Sequence, residues 1–154
     1  GRTVAIVGDV QHSRVARSNI HGLTTMGARV VVAGPGTMCR DQMRGLPVEV
    51  RHTVDDVVKD ADVVMMLRIQ RERLSGGEIE SLEAYRRDWG LTAARLAAHT
   101  GSDCRVLHPG PMNEGVEIDA EVADGPRSLV LEQVAAGVPM RMAVLSLALK
   151  GALP

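Results

Sequence analysis

The chain has 154 residues, of which 45% are hydrophobic and 24% charged, so its size and composition are those of one globular domain. A net charge of -1, one Trp, one Tyr and no Phe argue against a nucleic-acid surface, which needs clustered cations and stacking aromatics. Two cysteines make no disulfide framework, and no signal peptide or apolar run of membrane-spanning length is evident. We therefore expect a cytoplasmic protein that binds neither nucleic acid nor membrane. Because the sequence begins Gly-Arg-Thr and enters a strand at once, we also expect a piece of a longer protein.

Short β-branched apolar runs, typical of strands buried on both faces, alternate with helical patterns along the whole chain. In chain order we predict a strand over 4–7, a helix that Ser13 caps and Gly27 ends, a strand over 29–33, a weakly helical segment over 37–45, a strand over 48–50, a helix over 53–58, a strand over 62–67, helices over 78–87 and 93–98, a strand over 105–107, a helix that Ser128 caps and Gly137 ends, and a last helix over 140–149. The last helix follows Pro139 and is mostly apolar, so we expect it to be buried.

This alternation predicts a single α/β domain over residues 1–154. Its fold class is a doubly wound, mainly parallel sheet of about five strands with helices on both faces, a Rossmann-like three-layer sandwich. Ligands of such sheets bind beyond the carboxyl ends of the strands. Three unusual segments, 11–18, 68–70 and 108–115, are expected there.

Two arginines follow predicted strands and are candidates for binding an anion. Arg14 is expected at the first position of a helix, where a cation faces the positive end of the helix dipole. Arg68 directly follows the strand over 62–67, and Gln70 shares its face if the chain stays extended. Because a guanidinium binds a carboxylate or phosphate in a bidentate fork, the two together would suit a ligand with two anionic groups. Each arginine could equally cap a helix C-terminus or pair with an acidic neighbour, and Gln70 could be a solvent-exposed side chain.

The turn formed by Pro109, Gly110 and Pro111 could present main-chain carbonyls to a donor such as an amine, because Gly110 permits a close backbone approach. A plain turn with a core-facing His108 is the simpler alternative. The chain lacks a dinucleotide fingerprint, a P-loop lysine and a Gly-x-Ser-x-Gly nucleophile turn. The spacing of His99, Cys104 and His108 matches no standard metal site, so neither a metal nor a cofactor is expected.

Four motifs in order resemble the catalytic chain of the aspartate carbamoyltransferase family, in its second, aspartate-binding domain. They are Gly8-Asp9 with Ser13-Arg14-Val15-Ala16-Arg17-Ser18, then Leu67-Arg68-Ile69-Gln70-Arg71-Glu72-Arg73, then His108-Pro109-Gly110-Pro111-Met112-Asn113, then Gly115-Val116-Glu117-Ile118. The resemblance implies that Arg14 binds the aspartate α-carboxylate and that Arg68, helped by Gln70, binds the side-chain carboxylate. It implies that Pro109 and Gly110 offer carbonyls to the amine and carbamoyl group, with Pro111 alongside.

The resemblance also sets expectations about the whole protein. It implies a homotrimer in pyrimidine biosynthesis that transfers a carbamoyl group from carbamoyl phosphate to L-aspartate. The family's carbamoyl phosphate-binding domain is not in this chain, and the loop from Arg71 to about Trp89 corresponds to a mobile loop that closes over substrate. Regulatory or dihydroorotase partners remain open. Glu114 departs from the family pattern, in which many relatives carry Arg there.

Two other interpretations compete with this one. Ornithine carbamoyltransferases carry a His-Cys-Leu-Pro turn at the position of His108 to Pro111 and a Ser-Met-Gly loop. The chain has neither, and Arg68 would repel a cationic amino acid. A non-catalytic anion- or amino-acid-binding module is the alternative from another class, and it needs no partner domain.

Overall fold

Five parallel strands form one sheet with helices on both of its faces in this computed structural model. The structure describes residues 1–39, 43, 45–70, 79–98 and 103–151. The strands are β1 (Thr3–Val7), β2 (Arg29–Ala33), β3 (Glu49–Arg51), β4 (Val63–Met66) and β5 (Arg105–Leu107), in the order β3-β2-β1-β4-β5. The predicted doubly wound sheet is confirmed, and each strand lies within one residue of its expected bounds.

Seven helices are present in the described part of the chain. They are α1 (Arg14–Thr25), α2 (Gly36–Cys39), α3 (Val54–Asp60), α4 (Leu82–Trp89), α5 (Ala93–Ala98), α6 (Ala120–Ala123) and α7 (Val130–Leu149). The sequence did not predict α6, whose single turn is too short for a helical period to show. The expected start of the fourth helix at residue 78 lies outside the described residues, as do residues 40–42 and 44 of the weakly helical segment.

Alternation along β1 sends successive side chains into two separate core layers. Ala5 and Val7 pack with Val57 of α3 in a cluster that also receives α5 and α6. Ile6 packs on the other face, with Ile20 of α1. The central strands β1, β2 and β4 bury both of their faces over most of their length, and their sequences are almost continuously apolar. The edge strand β3 carries Glu49 and Arg51 and is only partly buried.

The ends of α1 form where the sequence predicts them. The hydroxyl of Ser13 accepts a hydrogen bond from the N–H of Ala16 at 3.0 Å, which satisfies one amide of the first turn. Arg14 is the first helical residue. Gly27 has a φ of 79° and follows the C-cap, a conformation that glycine adopts without strain.

The last helix is the main error of the sequence-based prediction. The two helices expected on either side of Gly137 and Pro139 are one 20-residue helix, α7, and Leu129 rather than Ser128 occupies its N-cap. Gly137 does not have a positive φ, so it does not end the helix. Among the described residues of α7, only Val130 is buried. Its large exposed apolar side chains are Leu131, Val134, Val138, Met140, Met142, Val144, Leu145, Leu147 and Leu149.

The length and composition of α7 would also fit a membrane span, with a mean hydropathy of 1.3 and 6% of that segment buried. This corrects the expectation that the chain has no apolar run of such length. A helix that packs against another part of a protein can have the same length and apolar composition. Exposed apolar surface of this extent indicates an interaction site.

Candidate functional site

The three segments singled out in the sequence meet at one edge of the sheet. Strands β1, β4 and β5 are neighbours, so the residues that follow their carboxyl ends lie side by side. The direction of strand succession reverses between β1 and β4, which makes this edge a topological switch point. Open α/β sheets bind their ligands at such points.

A cleft of about 210 Å³ opens at this edge. Its lining residues come from all three segments: Asp9, Ser13, Val15, Leu67, Arg68, Gln70, Pro109, Gly110 and Pro111. Five of the six residues proposed from the sequence therefore surround one small cavity. The cavity is of a size for a ligand of a few heavy atoms rather than for a nucleotide.

The sixth residue, Arg14, lies beside the cleft without lining it. Its neighbours Ser13 and Val15 line the cleft, whereas the Arg14 side chain is exposed. Successive residues of a helix point about 100° apart, which turns Arg14 toward solvent in this conformation. Its guanidinium makes no hydrogen bond or ion pair with any described residue. The expected pairing of two guanidinium groups over one crevice is not formed here.

Arg68 and Gln70 share one side of an extended segment, as their spacing predicts. Both are half-buried and line the cleft, while the intervening Ile69 is fully buried on the other side. The Oε1 atom of Gln70 is buried and accepts no hydrogen bond from a described residue. A buried carbonyl without a donor is costly, so this atom is suited to a donor group of a ligand.

Gly8 and Asp9 shape the floor beneath the first segment. Gly8 has a φ of 121°, and a Cβ added there would lie 3.1 Å from the Tyr85 hydroxyl. Asp9 is only 2% exposed. It accepts a hydrogen bond from the His12 backbone N–H at 3.1 Å and lies 2.9 Å from the His12 Nδ1 atom. Asp9 was not predicted to have a role, although an acidic residue directly after a strand-end glycine is a signal that could have identified it.

The turn after β5 is anchored from below by a fully buried histidine. His108 is 0% exposed, as the simpler alternative in the sequence analysis expected. Its Nδ1 atom accepts a hydrogen bond from the Gly110 N–H at 2.9 Å, and its carbonyl accepts one from Gln133 of α7 at 3.0 Å. The turn that lines the cleft is therefore fixed both by its own histidine and by the final helix.

Tyr85 of α4 lies under the same site and was not identified from the sequence. It is 2% exposed, and burial raises the pKa of its phenol above the ordinary value, with further increases from the nearby carboxylates of Glu117 and Asp9. The phenol is therefore neutral at physiological pH. Within the described residues its hydroxyl has no hydrogen-bond partner.

The described residues contain no group of three or more His, Cys, Asp or Glu side chains arranged to hold a metal ion. His99, one of the three residues weighed for such a site, lies outside them. The cleft is lined by a guanidinium, an amide and a rigid turn. Such a lining suits a small anion that also carries a hydrogen-bond donor. The fold is that of an α/β domain with a cleft at its topological switch point.

Comparison with known proteins identifies the family. Residues 1–148 match the family described as aspartate/ornithine carbamoyltransferase, Asp/Orn binding domain, and the chain belongs to this family. The aspartate carbamoyltransferase catalytic subunit of Gluconacetobacter diazotrophicus is 58% identical over 148 residues, and that of Xanthobacter autotrophicus is 57% identical over 145. These alignments cover 96% and 94% of the chain but 46% of each relative, so the chain spans about half their length.

Solved structures of the family share the fold over the same half. Ornithine carbamoyltransferase from Pyrococcus furiosus has a TM-score of 0.80 with 28% identity, covering 96% of this chain and 49% of that one. Aspartate transcarbamoylase from Trypanosoma cruzi, in complex with carbamoyl phosphate, has a TM-score of 0.71 with 26% identity, covering 94% and 48%. Backbone similarity thus includes both substrate types, whereas the relatives at 57–58% identity are named for the aspartate type.

Proposed function

We propose that this chain is the aspartate-binding half of an aspartate carbamoyltransferase. The complete protein would transfer a carbamoyl group from carbamoyl phosphate to L-aspartate, giving N-carbamoyl-L-aspartate and phosphate. The observation that carries the proposal is the cleft, where Arg68 and Gln70 face the turn of Pro109, Gly110 and Pro111. The relatives at 57–58% identity carry the same activity in their names.

In this proposal the two carboxylates of L-aspartate are bound separately. Arg68 and Gln70 bind the side-chain carboxylate, because a guanidinium and an amide NH₂ supply several donors to its two oxygens. Arg14 binds the α-carboxylate after its exposed side chain turns toward the cleft. The distance to cover is short, since Ser13 and Val15 on either side already line the cleft.

The turn then orients the reacting amine. Carbonyls of Pro109 and Gly110 accept hydrogen bonds from the amine and the carbamoyl NH₂, with Pro111 completing the wall. The amine nitrogen forms a bond to the carbamoyl carbon, the carbon–oxygen bond to phosphate breaks, and the amine loses a proton. The contribution of this chain is to hold the amine in line with the carbonyl carbon, and such positioning supplies much of the barrier reduction.

The charge of the cleft favours aspartate over ornithine. The Arg68 guanidinium attracts a carboxylate and repels the side-chain ammonium of ornithine, and like charges placed together cost several kcal/mol, on the order of 3 or more. Solved structures of the ornithine and aspartate types share the fold at similar identities of 28% and 26%, whereas the relatives at 57–58% identity are named for the aspartate type. Fold similarity alone does not decide the substrate.

The exposed face of α7 supports the presence of a further domain. We propose that the carbamoyl phosphate-binding half covers it, because the chain spans about half of its relatives and this helix leaves nine large apolar side chains exposed. A membrane span is less consistent with Arg141 near the middle of the helix, where a charge costs about 2.5–3.5 kcal/mol. The whole protein would be a cytoplasmic homotrimer in pyrimidine biosynthesis, without a cofactor, and dihydroorotase or regulatory chains are possible partners.

The test compares the chain alone with the chain joined to the amino-terminal half of the Gluconacetobacter diazotrophicus relative. We expect no turnover by the chain alone and formation of N-carbamoyl-L-aspartate by the joined protein. A joined protein that carbamoylates ornithine in preference to aspartate would overturn the substrate assignment. A folded, carbamoyl phosphate-binding protein that uses neither amino acid would favour a non-catalytic module.

A further inference from the structure

A fully buried carboxylate lies behind the cleft, in the loop that follows β5. Glu117 is 0% exposed and does not line the cleft. Its Oε1 atom accepts a hydrogen bond from the Asn113 backbone N–H at 2.6 Å, and its Oε2 atom accepts one from the Asn113 side-chain amide at 3.2 Å. Removing a charge from water is costly unless hydrogen bonds compensate, so this carboxylate depends on its partners.

The first connection runs from Glu117 to the segment after β4. The same Asn113 amide that binds Glu117 also donates to the backbone carbonyl of Ile69 at 3.2 Å. Ile69 lies between Arg68 and Gln70, the two side chains proposed to bind the carboxylate. The orientation of the Asn113 amide, set by Glu117, therefore fixes the backbone that carries them.

The second connection runs from Glu117 to the turn after β5. Because His108 Nδ1 accepts the Gly110 N–H, that nitrogen carries no proton, and the ring proton of the neutral imidazole is on Nε2. The His108 Nε2 atom lies 3.4 Å from Glu117 Oε1 and has no hydrogen-bond partner among the described residues. The negative charge of Glu117 at this distance favours a proton on Nε2, which is the tautomer that holds the Gly110 amide.

We propose that Glu117 is a positioning residue that aligns both ligand-contacting segments of the cleft through a single buried carboxylate. It acts on one side through Asn113 on the backbone of Ile69, and on the other through His108 on the backbone of Gly110. Glu117 touches neither substrate. The inference rests on the proposed function, since it takes these two segments as the aspartate site.

The decisive variant is Glu117→Gln in the complete two-domain protein. A glutamine of the same shape replaces one acceptor oxygen with a donor, so it cannot accept from Asn113 on both atoms. A misplacement of the reacting groups by about 1 Å can lower the reaction rate about a hundredfold. We therefore expect kcat/KM for aspartate to fall roughly ten- to hundredfold in Glu117→Gln. Glu121→Gln, which removes an exposed carboxylate of α6, is the matched control and should leave kcat/KM unchanged.

A second measurement separates this inference from the proposed function. Nitrogen-15 chemical shifts of the His108 ring should show the Nε2-protonated tautomer in the wild-type protein and a changed Nε2 signal in Glu117→Gln, whatever substrate is used. If Glu117→Gln does not fold, Asn113→Ala removes the same bridge from a half-buried position and should lower kcat/KM similarly. A folded Glu117→Gln protein with wild-type kinetics and an unchanged His108 signal would overturn the proposal.

Discussion

Replacing Arg68 with alanine should weaken aspartate use more than any other single truncation of the cleft. Losing one partner of a buried charged contact costs about 2–5 kcal/mol, whereas exposed pairs contribute about 1 kcal/mol or less. Arg68 is half-buried in a cleft of about 210 Å³, so its loss belongs in the lower part of the buried range. A cost of about 2–3 kcal/mol corresponds to a roughly 30- to 150-fold fall in kcat/KM for aspartate.

The assay is steady-state formation of N-carbamoyl-L-aspartate by the two-domain protein, with aspartate varied at saturating carbamoyl phosphate. Arg105→Ala is the matched control. Arg105 is the first residue of β5, so it lies at the amino ends of the strands, whereas the cleft lies beyond their carboxyl ends. We expect this control to keep wild-type kinetics. Wild-type kcat/KM in Arg68→Ala, in a protein of unchanged melting temperature, would remove Arg68 from the binding site and refute the argument.

Three further outcomes follow from the packing around the sheet. The hydrogen bond from the Thr3 backbone N–H lowers the pKa of Asp62 in the folded protein. The Asp62 carboxylate therefore stabilises the fold above its unfolded-state pKa, and this stabilisation is lost as the pH falls through its folded-state pKa. The melting temperature of Asp62→Asn should accordingly depend less on pH than that of the wild type below about pH 4. Burial raises the pKa of the Cys104 thiol to about 11, and a disulfide reagent at pH 8 should modify it only after unfolding. Gly34→Ala would place a Cβ 2.2 Å from the Gly8 carbonyl oxygen, and calorimetry should show that the free energy of unfolding falls by roughly 1–3 kcal/mol. Gly22→Ala on α1, where a Cβ meets open space, is the control and should not lower the melting temperature.

Local signals in the sequence were sufficient for most of the fold. The apolar runs predicted the central strands β1, β2 and β4 because a parallel sheet buries both faces of its central strands, and the shorter edge strands β3 and β5 were predicted as well. Ser13 and Gly27 marked the ends of α1 because their roles depend on their own side chain or backbone freedom. Such signals need no knowledge of distant residues.

The final helix shows where local signals fail. Its apolar composition predicted a buried helix, but composition does not say whether the packing partner belongs to this chain. Gly137 and Pro139 were interpreted as an end and a start, yet neither breaks a helix that has little packed against it. The prediction of a buried helix was wrong for the described chain, because apolar composition does not show which part of a protein a helix packs against.

In the candidate site, too, local signals predicted some residues and missed those whose roles depend on distant contacts. Arg68 and Gln70 were placed together by strand periodicity, and the turn of Pro109 to Pro111 by its position after a strand. The buried residues Asp9, Tyr85 and Glu117 were not assigned roles, because their importance comes from contacts between segments distant in sequence. The assignment of each ligand group to a residue came from the family resemblance and stays a prediction.

The most direct test of the dicarboxylate site is a crystal structure of the two-domain protein with N-carbamoyl-L-aspartate and phosphate. We expect one carboxylate within hydrogen-bond distance of Arg68 and Gln70, the other at a reoriented Arg14, and the ureido group against Pro109 and Gly110. A ligand whose carboxylates contact neither Arg14 nor Arg68 would contradict it.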